Sequence, residues 1–311
     1  MQFPLFTPPI EWVMPDGYPN LADAKEVAID LETRDPNLLS HGSGWARGDG
    51  EVIGIAVAVG SDSWYFPIRH QNGGNLDAKQ TLAWVKDLVS IDRDYIMHNA
   101  SYDAGWLWRE GIEVKGRIID TMIVGALLDE NRFSYALNAL GRDYLGQRKN
   151  ETELNEAAKS FGVNAKSEMW KLPAHFVGAY AEQDASLTLK LWKRFQGEMA
   201  KEDIQNVFDL ETNVFQVVLA MRKQGVRVDL EKAEILKVQM EKQEREALES
   251  VGGGDIDIWA ATSIAKAFDK EGLKYPRTAK VDAPSFTKNF LAIISSFSYY
   301  PSSSLGGYMH N

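Results

Sequence analysis

The sequence predicts an α/β fold in which helices flank a mixed β-sheet, followed by a smaller, mostly helical segment. Three strand patterns come in close succession near the start of the chain, which favours antiparallel pairing between them. Later strand patterns alternate with helical ones, an order typical of parallel strands joined by helices. After about residue 203 the regular patterns are helical.

The composition is that of a chain able to form a sizeable core. Of its 311 residues 44% are hydrophobic and none is cysteine, which excludes disulfides and thiolate metal sites. The net charge of −10 argues against coating nucleic acid by bulk electrostatics, but it permits an enzyme that holds a few nucleotides. Neither a signal peptide nor a membrane-spanning stretch is recognisable, so we expect a cytoplasmic protein without membrane contact.

The first 200 residues carry all the strand patterns. After a proline-rich lead-in, strands are predicted around Asp30 and at residues 51–59, 63–68, 94–98 and 117–120, with a glycine-rich loop at residues 35–49. Helices are predicted at residues 77–88, 99–108, 120–128 and 135–145, and from Pro173 onward. Asn99, Asp120 and Ser134 are expected to cap the helices that follow them.

A second unit is predicted over residues 201–292. Its first helix should end at Gly225, and Asp229 should cap the next helix, which runs to about Ser250. Gly252, Gly253 and Gly254 are interpreted as a hinge, before a further short helix at residues 260–270. The tail at residues 293–311 is rich in Ser, Tyr and Gly, and we assign no structure to it.

The first predicted strand carries two carboxylates on one face. Its apolar residues point to one side and suit a core, whereas Asp30 and Glu32 share the other side. Acidic residues are poor strand formers, so two at alternate positions need a reason. One interpretation is a half-exposed strand with a solvated outer face. The other is a divalent-metal site, in which hard oxygen ligands converge.

Three later residues favour the metal site. Asp103 stands at the start of a predicted helix that directly follows a strand, the usual edge for a site in an α/β sheet. Tyr180 and Asp184 are four residues apart on one predicted helix, so they share a face. Each has an ordinary explanation alone, but together with the acidic strand they predict one site of four carboxylates and a phenol.

These residues resemble the motifs of the DEDD superfamily of 3′-5′ exonucleases. The three motifs are Asp30-x-Glu32 with Thr33, Asn99-x-x-Tyr102-Asp103, and Tyr180-x-x-x-Asp184. A histidine five residues before Asp184 would mark another branch, but that position is Ala179. The chain is therefore similar to the tyrosine branch, which includes the proofreading domains of family A DNA polymerases. The resemblance covers residues 21–199.

The resemblance implies a ribonuclease H-like fold for residues 1–200 and a hydrolysis that uses two Mg²⁺ or Mn²⁺ ions per site. By similarity, Asp30, Glu32 and Asp184 would hold the first ion. Asp30 would also bridge to the second ion, which Asp103 would hold partly through waters. Mg²⁺ suits such a site because it keeps several waters and takes few carboxylates.

The resemblance also implies a substrate and its contacts. The substrate would be the 3′ end of single-stranded DNA, hydrolysed to nucleoside 5′-monophosphates. Tyr180 would orient the attacking water through its hydroxyl. Thr33, Asn99 and Tyr102 would contact the terminal nucleotide, with the Tyr102 ring packed against a base or sugar.

Residues 201–292 resemble the start of the polymerase region of family A enzymes, within the thumb. The match lies in residues 210–229 and 256–290, which include Ala283-Pro284-Ser285 before a helix. Palm and fingers are missing, so we expect a truncated bacteriophage-type polymerase in a bacterial or phage-infected cytoplasm, without polymerase activity of its own. Its protein partners are not predicted.

Two alternatives stay open. One is an exoribonuclease similar to ribonuclease D, although such enzymes usually continue into an all-helical nucleic-acid-binding domain and not a thumb-like segment. The other is a catalytically inactive DNA-binding module. The complete set of carboxylates argues against the inactive module, as does the absence of the strongly basic composition that a pure binder favours.

Overall fold

The computed structural model describes residues 12–250 and 256–297. Two compact units meet in sequence at Gly225, where the first unit ends and the second begins with Val226. The first unit contains the sheet and the predicted site. Among the described residues, no helix is both long enough and apolar enough to cross a bilayer.

The first unit is built on a five-stranded mixed sheet. Its strands are β1 (Glu26–Arg34), β2 (Glu51–Val59), β3 (Asp62–Pro67), β4 (Asp94–Met97) and β5 (Arg117–Asp120). The order across the sheet is β3-β2-β1-β4-β5. The pairs β1–β2 and β2–β3 are antiparallel, whereas β1–β4 and β4–β5 are parallel. This confirms the predicted mixed sheet and the ribonuclease H-like fold class.

Helices cover both faces of this sheet. In the first unit they are α1 (Leu38–His41), α2 (Gly44–Arg47), α3 (Ala78–Leu88), α4 (Ala100–Arg109), α5 (Thr121–Leu128), α6 (Leu137–Leu145), α7 (Thr152–Phe161), α8 (Gly178–Glu202) and α9 (Gln205–Gln224). Short 3₁₀ turns at Met169–Lys171 and Ala174–Phe176 precede α8. Buried side chains of α8 form the core on one face, and those of α3 and α4 contribute to the core on the other.

The loop predicted at residues 35–49 contains the two single-turn helices α1 and α2. Trp45 at its centre is fully buried, and its ring lies against Gly105 in α4. An added Cβ at Gly105 would come within 2.2 Å of that ring, so the close approach requires glycine. The loop is therefore anchored to the sheet domain through one large aromatic side chain.

In the first unit, capping followed the prediction at one of three positions. The Asp120 carboxylate accepts the Met122 N–H at 2.9 Å and caps α5, as expected. The prediction for Asn99 was wrong: this residue has φ 62° and its side chain makes no capping hydrogen bond. Asp120 takes that role too, accepting the N–H groups of Asn99 and Ala100 at 3.0 and 2.8 Å. The parallel pairing of β4 with β5 brings Asp120 to the start of α4.

Two predicted helix starts were wrong by a few residues. Ser134 does not cap α6, which begins at Leu137, although its hydroxyl accepts the Ala136 N–H at 3.3 Å. The long helix α8 begins at Gly178, because a 3₁₀ turn intervenes after Pro173.

The first compact unit extends past the boundary expected at residue 200. Helix α9 packs Phe208 into the core beside α8, where its ring stacks on Trp192 at 5.5 Å. Phe215 and Leu219 of the same helix join the core on the other face. The functional boundary at residue 200 stays a prediction, whereas the packing ends at Gly225, which has the expected positive φ of 68°.

The second unit contains α10 (Leu230–Ser250), α11 (Ala261–Lys270) and α12 (Lys288–Phe297). The Asp229 carboxylate accepts the Lys232 N–H at 3.0 Å, so the predicted cap of α10 is confirmed. Phe268 on α11 is surrounded by the rings of Tyr275, Phe286 and Phe290. The predicted hinge at residues 252–254 lies outside the described residues. The tail predicted at residues 293–311, to which no structure was assigned, begins inside α12, which reaches Phe297, and its remainder lies outside the described residues.

Candidate active site

Three of the four predicted carboxylates converge on one face of the sheet. Asp30 and Glu32 project from β1 toward α8, and Asp184 projects from α8 toward β1. Each offers one oxygen such that all three atoms lie within 4.8 Å of one another. Asp184 is buried, and the other two are partly buried. The acidic side chains that share one face of β1 therefore lie close to the acidic side chain on the facing side of α8.

The face of β1 that carries the acids is not a solvated outer face. Ala28, on the same side, is fully buried and belongs to the core that α8 covers. Val27 and Ile29, on the opposite side, belong to the other core. The half-exposed interpretation of this strand was therefore wrong, because α8 closes over the acidic side.

Asp103 lies beside this group and not within it. It is buried in the first turn of α4, and its Oδ1 accepts the Leu31 N–H at 3.0 Å. That N–H is available because β4 pairs with β1 only over Glu26, Val27 and Ala28. The hydrogen bond places the Asp103 carboxylate next to the strand segment between Asp30 and Glu32.

Burial raises the pKa values of all four carboxyl groups, and the charge of a neighbouring acid adds to the rise in each. For Asp30 the pKa rises to about 7, because burial removes water and the Asp184 charge lies nearby. Burial is also the main cause of the raised pKa of Glu32, Asp103 and Asp184. The site therefore holds more negative charge than its surroundings neutralise, and cations would relieve it.

The donor set fits divalent metal ions. Carboxylate oxygens are hard ligands of the kind that Mg²⁺ and Mn²⁺ prefer. The Asp184 Oδ1 atom is buried without a hydrogen-bond partner among the described residues, so it is free to act as a ligand. Within the described chain, the side chains of Asp30 and Glu32 likewise form neither a hydrogen bond nor an ion pair.

Tyr180 lies one turn before Asp184 on α8 and faces the same group of acids. Burial, together with the charges of Glu32 and Asp184, holds the pKa of Tyr180 well above its usual range. Its hydroxyl therefore stays protonated and acts as a hydrogen-bond donor, not as a base.

Sequence reasoning missed Lys149, which also reaches the site. Its Nζ donates to the Tyr180 hydroxyl at 2.9 Å and pairs with Asp184 Oδ2. The ammonium also lies over the Tyr180 ring, 4.4 Å from its centre. Lys149 comes from the polar stretch between α6 and α7, which has neither periodicity nor a motif, so no signal in the sequence pointed to it.

The predicted nucleotide-binding residues lie at the edge of the site. Thr33 and Tyr102 share a hydrogen bond of 2.7 Å between their hydroxyl groups. The Tyr102 hydroxyl also donates to Asp35 at 3.2 Å. Asn99 is exposed at the start of α4. Their contacts with a nucleotide stay predictions.

A buried tyrosine and histidine support the floor of the site. Gly54 of β2 pairs with Glu32, and the Tyr65 ring fills the space where a Gly54 side chain would stand. The Tyr65 hydroxyl bonds His70 Nε2 at 2.7 Å, and His70 Nδ1 bonds the Leu172 carbonyl at 2.9 Å. Burial lowers the pKa of His70 to about 4, so the ring is neutral.

Comparisons with known proteins show which proteins this chain is similar to. Residues 17–200 match a protein-family model described as 3′-5′ exonuclease. A DNA-directed DNA polymerase of Pseudomonas phage M6 is 34% identical over 94% of this chain and 46% of its own length. The DNA polymerase DpoZ of Salmonella phage PMBT28 is 31% identical over 82% of this chain and 40% of its own length. The chain thus spans less than half of these relatives.

One solved structure matches most of the chain. The polymerase domain of Pol1 from M. smegmatis, in complex with primer-template DNA and dNTP, superposes with a TM-score of 0.61. The superposition covers 89% of this chain and 43% of the other, at 16% sequence identity. At that identity the likeness concerns the fold alone.

Proposed function

Because the chain belongs to the 3′-5′ exonuclease family found in family A DNA polymerases, we propose that it removes nucleotides from the 3′ ends of single-stranded DNA. The products would be nucleoside 5′-monophosphates. The observation that carries this proposal is the convergence of Asp30, Glu32 and Asp184, whose ligand atoms lie within 4.8 Å of one another.

The four carboxylates would hold two divalent ions. Asp30, Glu32 and Asp184 would bind the first, with Asp30 shared between the two. Asp103 uses Oδ1 for the Leu31 N–H, which leaves its Oδ2 available for the second ion. Bound Mg²⁺ or Mn²⁺ would supply an activated water and stabilise the charge on the leaving oxygen.

The remaining residues of the site would bind and orient. The protonated Tyr180 hydroxyl would donate to the attacking water and fix its direction. The hydroxyl pair of Thr33 and Tyr102 would meet the terminal nucleotide, where the Tyr102 ring offers a stacking surface. Asn99, exposed at the start of α4, would contact the same nucleotide.

The proposal that the substrate is DNA and not RNA rests on the relatives of this chain. The two phage proteins are named as DNA polymerases, and this chain aligns with 46% and 40% of their lengths. We extend their substrate to this chain, and with it a location in the cytoplasm of an infected bacterium.

One assay tests the proposal. The protein is incubated with 5′-labelled single-stranded DNA, 3′-recessed duplex and RNA of the same sequence, in Mg²⁺, Mn²⁺ or EDTA. We expect stepwise shortening from the 3′ end of single-stranded DNA, and no shortening in EDTA. Asp30→Ala should reduce the rate about a thousandfold or more, because it removes the ligand shared by both ions.

Asp62→Ala is the matched control, because Asp62 is an exposed acid at the start of β3, away from the site. This variant should degrade DNA at the wild-type rate. Full activity of Asp30→Ala would contradict the assignment of Asp30 as a metal ligand. Faster degradation of RNA than of DNA would contradict the assignment of DNA as the substrate.

A further inference from the structure

Lys149 is delivered to the site by a loop held at both sides. Gly146, with φ 66°, ends α6, and its N–H bonds the Arg142 carbonyl at 3.1 Å. The Lys149 N–H then bonds the Asn138 side chain at 3.1 Å. The next N–H, of Asn150, bonds the Gln183 side chain on α8 at 2.7 Å. These bonds fix the backbone on either side of the lysine.

The side chain of Lys149 is enclosed by the groups that the proposed chemistry needs. It is 10% exposed, and its partner Asp184 is 7% exposed. A lysine is rarely buried so far without a matching charge. Here the ammonium sits against Asp184 Oδ2 and the Tyr180 oxygen.

The ammonium is the one cation that the described chain supplies to this group of acids. Asp30 and Glu32 pair with no Lys or Arg among the described residues, and Asp103 bonds only backbone. One positive charge thus faces four carboxylates. Lys149 partly offsets their repulsion, but it bonds only Asp184 directly.

We propose that Lys149 is a positioning residue and an internal counterion, whose ammonium stands beside Asp184 until a divalent ion takes that carboxylate. The proposal rests on the proposed function only in taking Asp184 as a metal ligand. When Asp184 binds an ion, the flexible four-carbon stem lets the ammonium withdraw from Oδ2 while its loop stays fixed.

Two consequences follow from this arrangement. The ammonium and a divalent ion compete for Asp184, so removing the ammonium should strengthen metal binding. A lysine that only packed against Tyr180 would have no such effect, because its loss would loosen the site and weaken metal binding. The sign of the change in metal affinity therefore separates the two roles.

The test is Mn²⁺ binding to the full chain without DNA, measured by isothermal titration calorimetry. Lys149→Met keeps the length of the side chain and removes its charge. We expect it to bind Mn²⁺ about tenfold more tightly than the wild type, whereas Lys149→Arg should bind close to the wild-type value. Lys159→Met, an exposed lysine on α7, is the matched control and should leave the affinity unchanged.

Equal or weaker Mn²⁺ binding by Lys149→Met would overturn the proposal. If that variant does not fold, lysine-labelled wild type answers the question by NMR. The Lys149 Cε–Hε signal, identified by its absence in Lys149→Arg, should shift when Mg²⁺ is added. An unmoved signal at saturating Mg²⁺ overturns the proposal as well. Absence of metal binding to the wild type would instead remove the proposed metal site itself.

Discussion

Two ion pairs between a lysine and an acidic residue, one in each unit, lie in very different surroundings. Lys149 and Asp184 in the first unit are 10% and 7% exposed. Lys237 and Glu234 on α10 lie 3.6 Å apart, but they are 62% and 68% exposed. The first pair lies among further buried acids, whereas the second lies in water that screens it.

The contrast extends to the whole of each unit. The first unit buries a core on both faces of its sheet. In the second unit, Ala265 alone is buried among the residues whose burial the structure describes. Both units are rich in charge, so the buried group of acids in the first unit depends on exclusion of water and not on the number of acidic residues. Changes in the first unit should therefore have larger effects than equivalent changes in the second.

The largest difference is expected for loss of a large apolar side chain. Phe195→Ala in α8 removes a fully buried ring that packs edge-on against Tyr144, 5.0 Å away. It should lower the free energy of unfolding by about 3–5 kcal/mol. Leu236→Ala in α10 removes a side chain that is 52% exposed. This change should alter the free energy of unfolding by no more than about 0.5 kcal/mol. Urea denaturation of both variants measures the difference, and equal losses would contradict the contrast.

A smaller effect is expected from pH. His70 has an unfolded pKa near 6.5 and a folded pKa of about 4, because burial disfavours its charged form. Between pH 6.5 and 4 the unfolded chain therefore binds a proton at His70 that the folded chain does not bind. The contribution of His70 to the free energy of unfolding is fully present above pH 6.5 and is lost as the pH falls toward 4. The loss from this residue should be about 2–3 kcal/mol.

His70→Gln isolates this contribution, since glutamine can donate and accept hydrogen bonds but does not titrate. The stability of the variant should fall less than that of the wild type between pH 6.5 and 4, measured by thermal denaturation in EDTA. Identical pH dependence of the two proteins would show that His70 binds its proton as readily in the folded state as in the unfolded chain, so that burial does not lower its pKa.

The smallest effect is expected from removal of the second unit. A chain that ends at Gly225 keeps α9 and every proposed ligand. Its rate of DNA hydrolysis should stay within about twofold of the full-length rate, since no reacting group is removed. Measurement with a short single-stranded oligonucleotide tests this, and a large loss in a folded truncation would show that the second unit contributes to the site.

Features set by residues close together in the sequence were predicted well, whereas those set by contacts between distant parts of the chain were predicted less well. The alternation along β1 is local, so the side of the strand that carries Asp30 and Glu32 followed from the period of two. The meeting of Asp103 and Asp184 with that strand depends on topology. Their positions at a helix start and on a helix face suggested a common site, and the resemblance to a known family strengthened that prediction. Periodicity alone does not predict that side chains from separate elements lie close together.

The failures have a common physical cause. Asn99 was expected to cap α4, but the carboxylate in that position comes from Asp120, at the end of the neighbouring strand. Lys149 reaches the site only because its loop bonds Asn138 and Gln183 from other helices. The core role of α9 likewise depends on the partners of Phe208. Each of these contacts joins residues that no local pattern connects.

The double hydrogen bonding of Asp120 has a consequence for genetic screens. This carboxylate accepts the N–H of Ala100, the first residue of α4, and that of Met122 in the first turn of α5, and α4 carries Asp103. A substitution at Asp120 would release the helix that orients one of the proposed ligands. A screen that scores only loss of nuclease activity would then rank Asp120 with the proposed metal ligands, although its side chain joins the starts of two helices through hydrogen bonds.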